Sequence, residues 1–207
     1  MKKLLAISSS PGRSHSYSRN LVHTFVDKFS QKEAEADVII RDLVEQPIPH
    51  LDDATISAFY TPLEQLSDEQ KKILALSDKL INELESADVI VIGTPMHNFS
   101  IPSGLKSYID HVARVGRTFH YTDNGPQGLL QGKKVYILTT RGGNYSQMPM
   151  AAFDHQEPYL RTILGFIGMN DIEFIHAQGM SMGEEKSKQA VEQAIARISK
   201  TVDDLLV

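Results

Sequence analysis

The 207 residues are enough for one domain with long functional loops, and 41% hydrophobic against 23% charged residues is the balance of a chain able to bury a full core. A formal charge of −5, with Lys and Arg scattered rather than clustered, leaves no footprint for nucleic acid. The absence of cysteine excludes disulfides, thiolate catalysis and cysteine-ligated metal.

The opening MKKLL imitates a secretory signal, but its apolar stretch ends at Ile7, and such a signal needs an apolar segment of about 7–15 residues. No run approaches the ~18 apolar residues of a membrane span, so the expectation is a cytoplasmic protein without membrane contact. Lys3–Ser9 reads as the first strand. After it, Leu21, Val22, Phe25, Val26 and Phe29 recur at the three- and four-residue spacing of a helix. Asp37–Leu43 is the second strand, followed by Val44–Leu66, longer than an ordinary loop. Ser67, followed by Asp68 and Glu69, caps a helix carrying Ile73, Leu76, Leu80 and Leu84. Asp88–Thr94 is the third strand, and a helix starts at about Ser103. The long segment Gly116–Gly132 contains FHYTDNGPQG, whose aromatics and turn residues predict an ordered flap. Lys134–Thr140 is the fourth strand. Tyr159–Ile167 is apolar nearly all round, so its helix needs burial on more than one side and suggests a subunit interface. Asp171–Ala177 is the fifth strand, and Val191, Ile195, Ile198, Val202 and Leu205 form one stripe of a last helix. Strands alternating with helices predict an α/β fold: a doubly wound five-stranded parallel sheet with helices on both faces, in a single domain spanning 1–207.

In such a sheet, ligands bind beyond the C-terminal ends of the strands, at the switch in strand order. After the first strand comes SSSPGRSHSYSRNL, rich in serine and without lysine. A helix N-terminus offers free N–H groups and roughly half a positive charge, to which Ser16 and Ser18 add hydroxyls, so the stretch suits a phosphate; ordinary helix capping is the alternative. It lacks both G-x-x-x-x-G-K-[ST] and G-x-G-x-x-G. After the third strand, Pro95 and Pro102 enclose Met96, His97, Asn98 and Phe99, fit either to hold a flat, polar-edged ring or simply to pack. After the fourth comes TTRGGNYSQMP, whose Gly142-Gly143 presents consecutive N–H groups suited to an anion, or makes a plain turn.

Other signals are weaker. Gly179-Met180-Ser181-Met182-Gly183 spells G-x-S-x-G, yet the last histidine, His176, precedes Ser181, against the hydrolase order. No histidine pair has metal-ligand spacing, so no metal is expected. His23 and His111 read as packing or surface residues. Asp52-Asp53 lies after the second strand, where a receiver-type phosphoacceptor is not expected.

Taken together, SSSPGRSHSYSRNL, GTPMHNFSIPSGLKSYIDHVARVGRTFHYTDNGPQGL, TTRGG and PYLRTILGFIG resemble the FMN-dependent NADH:quinone oxidoreductases, also called FMN-dependent azoreductases, over essentially the whole chain. The resemblance implies a flavodoxin-like fold and FMN as cofactor. It implies that Ser10, Ser16, Tyr17 and Ser18 hold the FMN phosphate, that Met96, His97, Asn98 and Phe99 line the isoalloxazine, and that Thr140, Arg141, Gly142 and Gly143 meet its pyrimidine side. It further implies a homodimer with interfacial sites, whose substrate pocket is walled by Tyr121 and Phe166 and bordered by Asn144. The partners implied are NADH or NADPH, quinones and aromatic azo compounds, used in a ping-pong cycle. His97 stands where the family commonly has Tyr and is a candidate proton donor; otherwise the chemistry is centred on the flavin. A flavodoxin-like electron carrier and an FMN reductase that releases reduced flavin are the alternatives.

Overall fold

The computed structural model describes residues 2–13 and 15–205. Among them are strands β1 (Lys3–Ser8), β2 (Asp37–Asp42), β3 (Val89–Pro95), β4 (Phe119–Thr122), β5 (Gly125–Gly128), β6 (Lys134–Thr140) and β7 (Asp171–Ala177), with helices α1 (Tyr17–Lys32), α2 (Asp53–Tyr60), α3 (Asp68–Ser86), α4 (Ser103–Val112), α5 (Gln156–Phe166) and α6 (Glu184–Leu205). Five strands pair in parallel in the order β2-β1-β3-β6-β7, as the sequence pattern predicts. The chain moves from β1 outward to β2, then returns past β1 to β3, so the order reverses between β1 and β3.

Two apolar layers result. One packs Leu21, Val22, Phe25 and Phe29 of α1 and Ala194, Ile198 and Val202 of α6 on one face. The other packs Leu80, Ile81 and Leu84 of α3, Leu105 and Ile109 of α4, and Leu160 and Leu164 of α5 on the opposite face. β1, β3 and β6 feed both layers because successive side chains point to opposite faces. This is why LLAIS, VIVIG and VYILTT are apolar without alternation.

The segment Val44–Leu66 contains α2, which its short apolar pattern does not reveal. Asp52 is the N-cap, accepting from the Thr55 amide at 2.8 Å, so Asp52-Asp53 opens a helix. His111 is buried, and its Nε2 lies 3.0 Å from the Pro49 carbonyl, pinning this segment to α4. Ser67 caps α3 as expected, in a full capping box with Gln70. Gly116–Gly132 forms the hairpin β4–β5, which turns at Asp123-Asn124 and pairs Phe119 with Gly128. The hairpin docks on the end of α5: the Leu130 amide donates to the Ile167 carbonyl at 2.9 Å. A Cβ at Gly128 would lie 2.1 Å from the Gly168 nitrogen, so only glycine permits this approach. Among the described residues no helix is long and apolar enough to cross a membrane.

Candidate active site

The three exits singled out in the sequence leave three adjacent strands, β1, β3 and β6, at their C-terminal edge. Backbone bonds bind the exits together: the Ser9 amide donates to the Gly93 carbonyl at 3.0 Å, and the Met96 amide to the Thr140 carbonyl at 2.8 Å.

At the first exit, Ser10, Ser16 and Ser18 are buried. Ser16 caps α1, accepting from the Arg19 amide at 3.3 Å, and its Oγ lies 3.3 Å from Oγ of Ser18. Ser16 is thus both a cap and part of a hydroxyl cluster. Among the described residues, the Tyr17 and Ser18 amides have no acceptor. Tyr17 is half exposed, its hydroxyl toward Ser187 of α6 at 3.5 Å. Arg19, the arginine in the first turn of α1, is already engaged. Its guanidinium pairs with Asp42 and donates to the Ser10 and Gly12 carbonyls at 3.2 and 3.3 Å, folding the loop around α1. Arg13 is exposed and pairs with Glu45 at 3.5 Å, and Arg41 is buried against Glu83, so neither points a free cation at this edge. Gly93 lets α1 lie against β3: a Cβ there would meet Val22 Cγ2 at 2.3 Å and the Ser18 carbonyl oxygen at 2.7 Å.

At the second exit, His97 and Ser100 exchange both backbone hydrogen bonds at 2.9 Å around Asn98 (φ 48°) and Phe99 (φ 68°). Two successive positive φ values make this a tight type I′ hairpin turn. Asparagine tolerates that region; a phenylalanine there is strained, on the order of 1–3 kcal/mol. The strain projects exposed His97, Asn98 and Phe99 outward, with Met96 half-buried beneath. Phe99 joins Phe153 and Tyr145 (ring centroids 5.6 and 6.5 Å) in an aromatic shelf.

At the third exit, the carbonyls of Arg141, Gly142 and Gly143 accept from the amides of Met180, Ser181 and Gly179 at 3.0, 3.0 and 2.9 Å. The G-x-S-x-G stretch is therefore a brace under the Gly-Gly loop. Among the described residues, the amides of Gly142 and Gly143 donate to no protein acceptor. Thr140 is buried at the strand end, and Arg141 turns its side chain inward, where burial lowers its pKa against the raising effect of Asp154 and Glu157. Arg141 thus offers this edge its backbone alone. The exposed Asn144 closes its own turn, accepting from the Ser146 amide and hydroxyl at 2.9 and 2.7 Å.

Tyr121 and Phe166 lie elsewhere. Both rings contact Phe119, at 5.6 and 4.5 Å between centroids, beside the C-terminal end of α5. The N-terminal end of α5 adjoins the second and third exits through Gln156, and the 11 residues of α5 span about 16 Å. Within one chain these two aromatics do not join the strand exits. Sequence reasoning passed over Arg19, Asp154 and Gln156. Their only signals were an arginine three residues past a capping serine, and polar residues where a buried helix begins.

A parallel sheet in the order β2-β1-β3-β6-β7 with helices on both faces is a flavodoxin-like fold, and a flavodoxin-like-fold family matches residues 2–202. The chain is 52% identical over 206 residues to an FMN-dependent NADH:quinone oxidoreductase of Herminiimonas arsenicoxydans, covering 100% of this chain and 99% of the relative. It is 44% identical to one of Azotobacter vinelandii, over 97% of this chain and 99% of that one. An FMN-dependent NADH-azoreductase of Bacillus anthracis, solved in complex with FMN, superposes with a TM-score of 0.90 at 25% identity over 100% of both chains. The chain belongs to the family of FMN-dependent NADH:quinone oxidoreductases.

Proposed function

We propose that this chain is an FMN-dependent oxidoreductase that passes two electrons from NADH to quinones and aromatic azo compounds, and that it does so in a ping-pong cycle within one flavodoxin-like domain. The observation that carries this reading is the convergence, on three adjacent strand ends, of an aromatic shelf and two sets of amides that have no acceptor among the described residues. The arrangement fits FMN. Buried Ser10, Ser16 and Ser18, with the free amides of α1, suit a dianionic phosphate seated by a helix dipole rather than a lysine.

Bound FMN supplies a flat ring that accepts two electrons and gives them up again. The protein's part is to seat, tune and shield. Met96, Asn98 and Phe99 would border the ring, and the Gly142 and Gly143 amides would face the edge where reduction places negative charge. Preorganised N–H dipoles stabilise such charge without reorganising. The brace from residues 179–181 supplies that preorganisation, since the loop carbonyls are already committed. In the ping-pong cycle, NADH and the acceptor would occupy the shelf of Phe99, Phe153 and Tyr145 in turn. NAD departs before a quinone enters, takes up the electron pair and gains its protons from solvent; His97, exposed at the turn, is the candidate donor among the side chains.

Tyr121 and Phe166 enter the site across a homodimer. Half-buried Tyr159, Ile163 and Phe166 leave an apolar stripe along α5, and a second copy on that stripe would bring the flap of one chain toward the exits of the other.

The test is the visible spectrum of the purified protein followed by anaerobic NADH. A yellow protein bleached by NADH alone and recoloured by a quinone is expected. A protein left colourless after incubation with excess FMN overturns the reading, and one that NADH cannot bleach without a partner protein is an electron carrier instead.

A further inference from the structure

Behind the Gly142-Gly143 loop lies a buried polar cluster that the chemistry above does not use. Gln156, fully buried, donates through Nε2 to the Pro95 carbonyl at 3.0 Å and accepts through Oε1 from Nε of Arg141 at 3.3 Å. Its backbone N–H donates to Oδ1 of Asp154 at 2.9 Å, and Oδ2 of Asp154 pairs with Nη1 of Arg141 at 3.0 Å. Glu157 lies 4.0 Å from Nη2 of Arg141, an atom that makes no hydrogen bond among the described residues. Pro95 ends β3, Arg141 follows β6, and Asp154 and Gln156 open α5. One side chain thus spans two strand exits: the residue after Pro95 is Met96, and the residue after Arg141 is Gly142.

A guanidinium taken out of water costs several kcal/mol unless it is well paired, and apolar residues often replace such pairs without loss. What the charge and the amide supply here, and an apolar filling would not, is direction. Site groups act when held to within about 0.5 Å of the productive geometry. We infer that Gln156 and Arg141 are positioning residues that lock the Met96–Phe99 turn to the Gly142-Gly143 amides, and thereby set the preference of the site for reduced over oxidised FMN. The inference rests on the flavin reading above.

Two variants test it. Gln156→Leu removes both side-chain bonds, and Gln156→Glu keeps an acceptor for Arg141 but turns an oxygen on the Pro95 carbonyl. The readouts are FMN affinity of the apoprotein by flavin fluorescence, the two-electron midpoint potential of the bound flavin, and thermal unfolding without FMN. Both variants are expected to bind reduced FMN about tenfold more weakly relative to oxidised FMN, which lowers the midpoint by about 30 mV. If Gln156→Leu does not fold, the isosteric Gln156→Glu carries the measurement. Affinities for both forms that fall together, at an unchanged midpoint, would mean a structural role only and overturn the inference. A wild-type protein that binds no FMN at all overturns instead the functional reading on which it stands.

Discussion

Gly93→Ala puts the seating of α1 to a direct test. The added Cβ would sit 2.3 Å from Val22 Cγ2 and 2.7 Å from the Ser18 carbonyl oxygen, both more than half an ångström inside van der Waals contact. Val22 can be trimmed, but the Ser18 oxygen is backbone in the first turn of α1 and moves only with the helix end. Overpacking of this kind costs about 1–3 kcal/mol, and each kcal/mol lowers the melting temperature of a chain this long by about 2–4 °C. The same movement displaces the free amides and the Ser16–Ser18 hydroxyls, so FMN affinity falls as well, tenfold for each ~1.4 kcal/mol lost at the phosphate. The double variant Gly93→Ala/Val22→Ala separates the two effects. It relieves the side-chain clash at the expense of a small cavity, yet leaves the Ser18 contact, so FMN stays weakly bound even where some stability returns. Thermal unfolding of the apoprotein and fluorescence titration with FMN measure the pair. A Gly93→Ala protein that melts and binds FMN as the wild type does would refute the claim that this glycine seats the helix.

Gly143→Val should strip FMN from the purified protein while leaving the apoprotein nearly as stable, since φ is not positive there and a Cβ meets only the Tyr145 ring at 3.4 Å; flavin retained in stoichiometric amount contradicts it. Arg19→Met removes the clamp on the Ser10 and Gly12 carbonyls and should weaken FMN binding about tenfold, as the loss of one or two hydrogen bonds to a charged group implies; an unchanged titration argues against the clamp. Burial lowers the pKa of His111, with the hydrogen bond to the Pro49 carbonyl, Asp110 and Asp52 opposing it only in part. The unfolded chain therefore takes up this proton first, so stability is complete above the ordinary value of 6.5 and is lost as pH falls from there toward the lower folded value. The melting temperature of the wild type should drop between about pH 7.5 and about pH 5.5 by more than that of His111→Gln, and equal drops would remove His111 as the cause. Under the proposed homodimer, Phe166→Ala should weaken self-association and raise the KM for quinone with FMN content unchanged; an unaffected sedimentation profile and KM would exclude the α5 stripe as the interface.

Most of the architecture was legible because its signals are local. A strand buried on both faces has to be continuously apolar, and the strand limits read from sequence differ from the observed ones by a residue at most. What escaped was set by tertiary context. The eight residues of α2 carry too little periodicity to declare a helix, and Asp52 resembles a functional acid until its bond to the Thr55 amide is seen. The three exits can be named from sequence, but not the fact that, among the described residues, amides at the first and third lack a protein acceptor. That state follows from distant partners: residues 179–181, which occupy the loop carbonyls, and Arg19, which binds two carbonyls seven and nine residues back along the chain. Tyr121 and Phe166 were expected at a pocket wall, and the length of α5 explains why one chain alone does not bring them there.

The G-x-S-x-G stretch shows what separates a motif from a site. A nucleophile elbow needs its serine backed by a base, whereas here Ser181 is exposed and its amide, with those of Gly179 and Met180, is spent on the carbonyls of residues 141–143. With these three carbonyls committed, the Gly142 and Gly143 amides are left, among the described residues, without a protein acceptor. Chemistry at a flavin asks for fixed dipoles more than for titrating side chains, and on the proposed reading a loop whose three carbonyls are already committed would provide them. Glycine at 179, with a positive φ of 76°, then matters for the shape of the brace rather than for any elbow. Replacing it with a β-branched residue should therefore lower flavin affinity without any side chain having touched the cofactor.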